Sequence, residues 1–426
     1  MSMAGTWKTA AVLSAGVLLL AGCKSRNIVV NYGELDTEPV TITFFGNKYE
    51  TENVTVIEEI ISGFMEENPD IRVSYESLKG AEYYEALDKR MKAGKGDDVF
   101  MVNHDAVLEL KEKGKLADLS AVSTIPNYTE QMLSQMKDGD KIYWMPTTVS
   151  VFGLYCNMDL LKKNGQEVPE NLEEWDRVCD YFLDKGITPV IANNDISLKT
   201  AAIGLGFYNV YQEGREKDVF DRLNSGQEPL SRYLTPGFAL TEEWIEKGYV
   251  DPEKSLATMK TSDDLEEFAK GQTPFMLTGA WAAGRIRLMA PDLSFQVVPY
   301  PVLQDGALAV INADTRLSVN ADSEHPEAAV RFVEYFTQPD HIQKFADQQS
   351  SLSPLKDSVP SGVKEIQPLI ECYRSGRTVI GTDGLLELPI WNLTADVSKK
   401  LLSGETLESA MDWMDEQAGL ERSVLQ

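Results

Sequence analysis

Three short polar clusters stand directly after β-rich runs, where a sheet protein presents groups able to hold a small molecule. Gly46-Asn47-Lys48 follows the run 40–45, Asn103-His104-Asp105 follows 98–102, and Asn193-Asn194-Asp195 follows Thr188-Pro189-Val190-Ile191. Amides donate and accept hydrogen bonds, and an ionised carboxylate accepts at two oxygens. Each cluster also has a plainer reading. Asp105 stands where it would cap a helix over 106–113. Asn47 and Lys48 are ordinary loop residues after a glycine, and Asn193, Asn194 and Asp195 suit a simple turn. Groupings for covalent chemistry are missing from the sequence, which has no Gly-x-Ser-x-Gly elbow and no Gly-x-x-x-x-Gly-Lys phosphate loop. Its three histidines, at 104, 325 and 341, are scattered. His104 alone makes no zinc site, which needs several ligands. No metal and no cofactor is therefore expected. Paired carboxylates always occur among 67 acidic residues, so a secreted glycoside hydrolase stays open as an alternative from another class.

The elements that must position these clusters are legible as alternating periods. Val40-Thr41-Ile42-Thr43-Phe44-Phe45 is a β-rich run ended by Gly46. Val56, Ile57, Ile60, Ile61 and Phe64 recur with a helical period, 71–75 alternates as a strand, 83–91 reads as a helix, and 98–102 reads as a short buried strand. Strand, helix, strand, helix, strand predicts a mainly parallel sheet covered by helices. In such sheets ligands bind beyond the carboxyl ends of the strands. That places Asn47 and Lys48, and Asn103 and Asp105, at the chemically important edge.

Length and charge bound the rest. About 390 residues beyond the amino-terminal segment exceed one core, so two domains are expected. A net charge of −27 repels nucleic acid and anionic headgroups. The chain opens with a weakly basic stretch and an apolar run over 10–21, too short for a transmembrane helix, which needs about 20 residues. Such a run ending in small residues reads as an export signal. It closes on Leu20-Ala21-Gly22-Cys23, which resembles the lipobox of bacterial lipoproteins. That resemblance implies cleavage before Cys23 and lipid (a diacylglycerol, with palmitate-like acylation) on its sulfur. The expected organisation is a signal peptide over 1–22 and a lipidated polar tether over 23–38, with acyl chains as the sole membrane anchor. Cys156, Cys179 and Cys372 remain, an odd number without metal-ligand spacing, and are expected as buried apolar residues without a disulfide.

Seven further stretches, in order along the chain, resemble the family 1 extracellular solute-binding proteins, the sugar-binding class that includes maltose-binding protein. They are Ile42-Thr43-Phe44-Phe45-Gly46; Tyr84-Glu85-Ala86-Leu87 leading to Gly94 and Asp98-Val99-Phe100; and Asp140-Lys141-Ile142-Tyr143-Trp144-Met145-Pro146. Then come Leu154-Tyr155-Cys156-Asn157-Met158-Asp159-Leu160-Leu161; Pro169 with Trp175; Phe268 to Gly271 with Met276, Gly279 and Trp281; and Leu402-Ser403-Gly404 with Thr406, Glu408 and Ala410. Departures fall at Asp97, Asp140, Cys156 and Asn171-Leu172. The resemblance implies a two-lobed periplasmic-binding-protein-like α/β fold. Each lobe is expected as a mainly parallel sheet flanked by helices, the two joined by hinge strands. By that analogy the first lobe is 39–147 with about 300–353, and the second is 152–298 with about 361–426. Hinges are expected near 147–151, 299–302 and 353–361.

The same resemblance implies a function. A monomeric lipoprotein, held outside the membrane or in the periplasm, captures a mono- or oligosaccharide between the lobes and delivers it to ABC transporter permease subunits. A ligand sensor on the same fold is a further alternative. A sugar presents hydroxyls at its rim and an apolar C–H face, so its site needs aromatic platforms beside carboxylates and amides. The family places a platform at the Gly-x-Trp that Trp281 matches, with Ala280, Ala282 and Ala283 flanking it, and often a second at a position matched by Trp391. It commonly puts a carboxylate at Asp105, beside Asn103, and polar contacts at Asn47 and Lys48. Asn193 and Asp195 are the expected second-lobe hydrogen-bonding groups. Core packing is the competing role for both tryptophans, and packing is expected for Tyr143 and Trp144 near the first hinge.

Overall fold

Alternation of apolar and polar residues in Val40–Gly46 (β1) and Ile71–Ser77 (β2) makes them strands, and they pair in parallel from Val40↔Ile71 to Gly46↔Ser77. The structure, a computed structural model, describes residues 38–424, so Cys23, the export signal and most of the expected tether lie outside the described residues. Between β1 and β2 the helix Thr51–Glu67 buries Val56, Ile57, Ile60, Ile61 and Phe64 on one face. The helix Gly80–Lys92 buries Tyr83, Leu87 and Met91 and leads to Val99–Val102 (β3), which is parallel to β1 through Phe44↔Val99. The predicted strand–helix alternation over this region is therefore present. A small hairpin, Lys137–Asp138 (β4) with Lys141–Ile142 (β5), follows.

Two long strands dominate the middle of the molecule. Met145–Asn157 (β6) has 13 residues, all buried. After Val190–Ile191 (β7), Phe275–Gly279 (β8), Phe295–Val298 (β9) and Tyr300–Leu303 (β10) comes Gly306–Val319 (β11), which lies antiparallel to β6 from Val310↔Phe152 to Leu317↔Met145. Thr378–Ile380 (β12) pairs with β11 in parallel. The sheet order is β2-β1-β3-β11-β6-β8-β7, with β9 on β6 and β10 and β12 on β11. The sheet is mixed: β1, β2 and β3 are mutually parallel, as are β7 and β8, whereas β11 runs antiparallel to β3 and β6 antiparallel to β8. The carboxyl half of β11 (Arg316–Val319) bonds to β3, while the carboxyl half of β6 bonds to β8 and β9. The two strands thus carry the chain from one group of strands to the other. This is an α/β fold of the periplasmic-binding-protein kind. Tyr300–Leu303 pairs back onto the start of β11, with Tyr300 opposite Leu308.

Three apolar cores pack on the sheet, and the first reaches both groups of strands, including Met276 and Val297 beside Phe44 and Val99. One lies around β1, β3 and the helix Pro326–Phe336. A second lies around β7, β8 and the helix Leu172–Asp184, where Trp175 and Trp244 are fully buried. The third is helical, with the helix Ser197–Gln212 crossing Ser231–Glu246 against residues of Ile390–Leu402. That crossing is close because Gly237 has no side chain: a Cβ there would lie 2.0 Å from the Ala202 carbonyl oxygen. Cys156, Cys179 and Cys372 are buried thiols without disulfides. No helix among the described residues is long and apolar enough to cross a membrane.

Candidate functional site

The carboxyl ends of β1 and β3 open the site. Asn47 follows β1; its Nδ2 donates to the Tyr84 hydroxyl at 3.3 Å, while its Oδ1 is sealed from solvent without a partner. Lys48 is half-buried, and its carbonyl accepts from the Tyr75 hydroxyl at 2.8 Å. After β3, Asn103 adopts an extended backbone and its side-chain oxygen accepts from the Ala106 N–H at 2.8 Å. It caps the helix His104–Glu112. This corrects the cap role weighed for Asp105: the helix begins two residues earlier than expected, so Asp105 lies inside its first turn with its carboxylate released. Asp105 Oδ2 accepts from the Asn392 N–H at 3.2 Å, and its Oδ1 is buried with no partner. Burial pushes the Asp105 carboxyl up to about 7, against the pull of Lys199 and Arg316. His104 is buried 3.3 Å from the Leu388 carbonyl, and burial, reinforced by Arg316, pushes its pKa down to about 3, leaving it neutral.

Midway along the antiparallel β6–β11 pair, where the register skips Thr315, the backbone itself is strained. Thr315 has φ 44°, a left-handed conformation unusual for a β-branched residue. Three bonds hold it there. Its N–H donates to Asp314 Oδ1 at 2.7 Å, its carbonyl accepts from Thr147 Oγ1 at 2.9 Å, and Ser150 Oγ fixes Asp314 Oδ2 at 2.6 Å. Arg316 follows, 2% exposed, its guanidinium carbon 4.1 Å from the Trp144 ring centroid. Its Nε donates to the Ala313 carbonyl at 2.8 Å and a terminal nitrogen donates to Thr382. Burial pulls its pKa down to about 10, while Asp314 and Asp105 oppose the fall. Trp144 is a packing residue, as expected, and it packs on a cation.

Two aromatic rings pack on β6 near this region, one from the turn after β8 and one from a helix. Trp281 follows Gly279 at the end of β8, and a Cβ on that glycine would fall 1.8 Å from the indole, so only glycine lets the ring fold over the strand end. Trp281 is partly buried and stands edge-on to Phe152, centroids 5.1 Å apart. Its neighbours Ala280, Ala282 and Ala283 are fully buried and pack inward. Trp391, in the first turn of Ile390–Leu402, is also partly buried and lies 5.3 Å from the same Phe152. One buried ring on β6 therefore braces both candidate platforms.

The segment before Ser197–Gln212 supplies charge. Asn193 is buried and spends its groups on the turn: Oδ1 accepts from the Asp195 and Ile196 N–H groups, and Nδ2 donates to Asp264 at 2.9 Å. Asn194 donates to the Leu256 carbonyl at 3.2 Å. Asp195 pairs with Lys199 at 2.5 Å and also with Lys260. Burial works to raise the Asp195 pKa, and the two ammonium groups more than reverse it, holding the carboxylate well below its usual range. Lys199 itself is buried with Nζ 3.9 Å from the Trp391 ring centroid.

Of the residues expected at the site, Asn47, Lys48, Asn103 and Asp105 gather at the ends of β1 and β3. Trp281 and Trp391 flank Phe152, and Asp195 joins them through Lys199. Phe152, Asp314 and Lys199 were missed. A lysine as the sole charge in the run 196–204 was the available signal for the last. A separate pocket of about 280 Å³, lined by Thr41, Asp98, Asn320 and His325 among others, lies at the amino ends of β1 and β3, the wrong edge for a ligand of such a sheet. No group of three or more metal-ligating side chains occurs among the described residues.

Comparison with known proteins agrees with the fold. The sequence profile described as bacterial extracellular solute-binding protein matches residues 47–342. The multiple sugar-binding protein of Streptococcus mutans is 24% identical over 361 residues, covering 83% of each chain. Among solved structures, a sugar transporter of Bacillus licheniformis in complex with stachyose is 23% identical with a TM-score of 0.69, covering 89% of this chain and 99% of the other. The apo form of RafE from Streptococcus pneumoniae is 21% identical with a TM-score of 0.68, covering 92% and 100%.

Proposed function

We propose that this chain, which belongs to the bacterial extracellular solute-binding protein family, captures a mono- or oligosaccharide beyond the carboxyl ends of β1 and β3 and delivers it to the permease subunits of an ABC transporter. What supports this most directly is the pairing of two orphan acceptors, Asp105 Oδ1 and Asn47 Oδ1, with two partly buried indoles braced on Phe152. Buried acceptors without donors are costly. Hydroxyl groups supply the donors, and the C–H face of a sugar ring suits an indole. The names of relatives point the same way: one is a multiple sugar-binding protein, and one structure holds stachyose.

In this reading Cys23 carries the lipid that holds a monomeric protein outside the membrane, on the cell surface or in the periplasm. The lobes, 39–147 with about 300–353 and 152–298 with about 361–426, close about the crossing segments near 147–151, 299–302 and 353–361. The protein binds and releases its sugar without turning it over. Calorimetric titration with raffinose, stachyose, maltotriose and their component monosaccharides tests this. Saturable binding with the sugar recovered intact is expected, and a ligand at 100 times its Kd adds about 2.7 kcal/mol of stability. Shorter products would identify a glycoside hydrolase instead. Binding of no neutral sugar would refute the carbohydrate assignment.

A further inference from the structure

Lys199 stands third in the helix Ser197–Gln212, and its side chain is 1% exposed. Two physical rules oppose a lysine there. The first turn of a helix carries partial positive charge and disfavours a cation. A buried ammonium is tolerated only when it is paired and fully hydrogen-bonded. The partners are present: Asp195 Oδ1 at 2.5 Å, the Trp391 carbonyl oxygen at 3.1 Å, and the Trp391 ring centroid at 3.9 Å. Two of those three contacts go to one residue, 192 positions further along the chain. The ammonium therefore grips Trp391 by its backbone and by a face of its ring.

We infer that Lys199 is a positioning residue for Trp391, fixing the indole through its carbonyl and covering one ring face, so that a ligand can stack only on the face left open. At 3.9 Å there is no room for a sugar between the ammonium and the covered face. Phe152, tilted by 53° at 5.3 Å, limits rotation of the ring out of this position. The occupant of the open face rests on the carbohydrate reading, whereas the clamp itself belongs to the ligand-free protein. The charged groups that face Lys199 are Asp195 from the preceding turn, Lys260 from the segment before the helix Asp263–Ala269, and Asp105 from the helix His104–Glu112. Burial lowers the Lys199 pKa to about 8, with Asp195 opposing and Lys260 reinforcing the fall. The clamp should therefore loosen as pH rises through about 8, when the ammonium loses its charge.

The test is the indole N–H resonance of Trp391, assigned with Trp391→Phe, in ligand-free wild type, Lys199→Met, Lys199→Arg and Asp105→Asn. In Lys199→Met that resonance is expected to be displaced. In wild type it should move toward the Lys199→Met position with a midpoint near 8, and Asp105→Asn should keep this transition. With raffinose and stachyose as probes, Lys199→Met should bind about tenfold more weakly or worse, and Lys199→Arg should recover part of the loss. A Trp391 resonance identical in wild type and Lys199→Met would overturn the inference, as would equal affinity of the two for a probe that wild type binds. If Lys199→Met does not fold, Lys199→Gln replaces it, and a Trp391 resonance in that variant identical to wild type overturns the clamp. If wild type binds neither probe, the carbohydrate reading loses its support while the resonance still decides the clamp.

Discussion

Asp105→Asn should make the ligand-free protein more stable and the liganded complex weaker, and the two effects follow from the same atom. Asp105 Oδ1 is buried without a donor, and burial raises the carboxyl pKa from 3.8 to about 7. The folded protein therefore holds a proton on Asp105 that the unfolded chain has released, throughout the range between those two values. Stability contributed by this group falls as pH rises from about 4 to about 7, and the full charging cost is present above it. A shift of that size corresponds to about 4 kcal/mol, and relaxation around this partly buried residue reduces it to about 2 kcal/mol. Asparagine carries no charge, so at pH 8 the variant should gain about 2 kcal/mol of stability. A ligand hydroxyl that donates to the carboxylate makes a charge-assisted bond worth about 1.5–3 kcal/mol. Its loss weakens binding by about 10- to 150-fold. Scanning calorimetry of both proteins at pH 8 and pH 5, with titration of the sugar at pH 8, measures all three quantities. The stability difference should shrink at pH 5, where wild-type Asp105 is protonated. A variant less stable than wild type at pH 8, or a gain of equal size at both pH values, would refute the reasoning.

Cys23→Ala should abolish fatty-acid labelling and release the protein or leave an unprocessed precursor; label retained on the variant would exclude Cys23 as the lipid site. Small-angle scattering should show a smaller radius of gyration at saturating sugar if, as proposed, the ligand bridges the strand groups that β6 and β11 connect; identical profiles would indicate a rigid site. Trp281→Ala should weaken binding by about tenfold or more while lowering the apo melting temperature less than loss of a core tryptophan, since the ring is only partly buried. A sharp fall in melting temperature with unchanged affinity would make Trp281 a core residue.

What was legible in the sequence was periodic. The β1–helix–β2–helix–β3 run could be read because burial repeats every two or every 3.6 residues, and the positions of Asn47 and Asp105 at strand ends followed from that alone. The cap assignment failed because Asn103 and Asp105 are both good caps. The extended backbone of Asn103 decided between them, and that depends on how the chain leaves β3. Lys199 was half legible. Asp195 lies four residues before it, a spacing that pairs charges on a helix. Its other partner, Trp391, is reached only through the tertiary fold. Several residues around the site share a property that periodicity does not reveal. Around the middle of the β6–β11 pair, a threonine is left-handed, a lysine is buried at the positive end of a helix, and an arginine is sealed against a tryptophan. Two acceptors there have no donor. Each of these costs stability on its own; single instances occur elsewhere, at left-handed Thr261 and Ser350 and at the unpartnered indole N–H groups of Trp175 and Trp244, but here several fall together. Such costs gathered in one place survive when the arrangement is held ready for something outside the chain. A ligand with hydroxyl donors and an apolar face would relieve the unsatisfied acceptors directly, and it would leave the strained strand and the buried cations as the frame that keeps them in place.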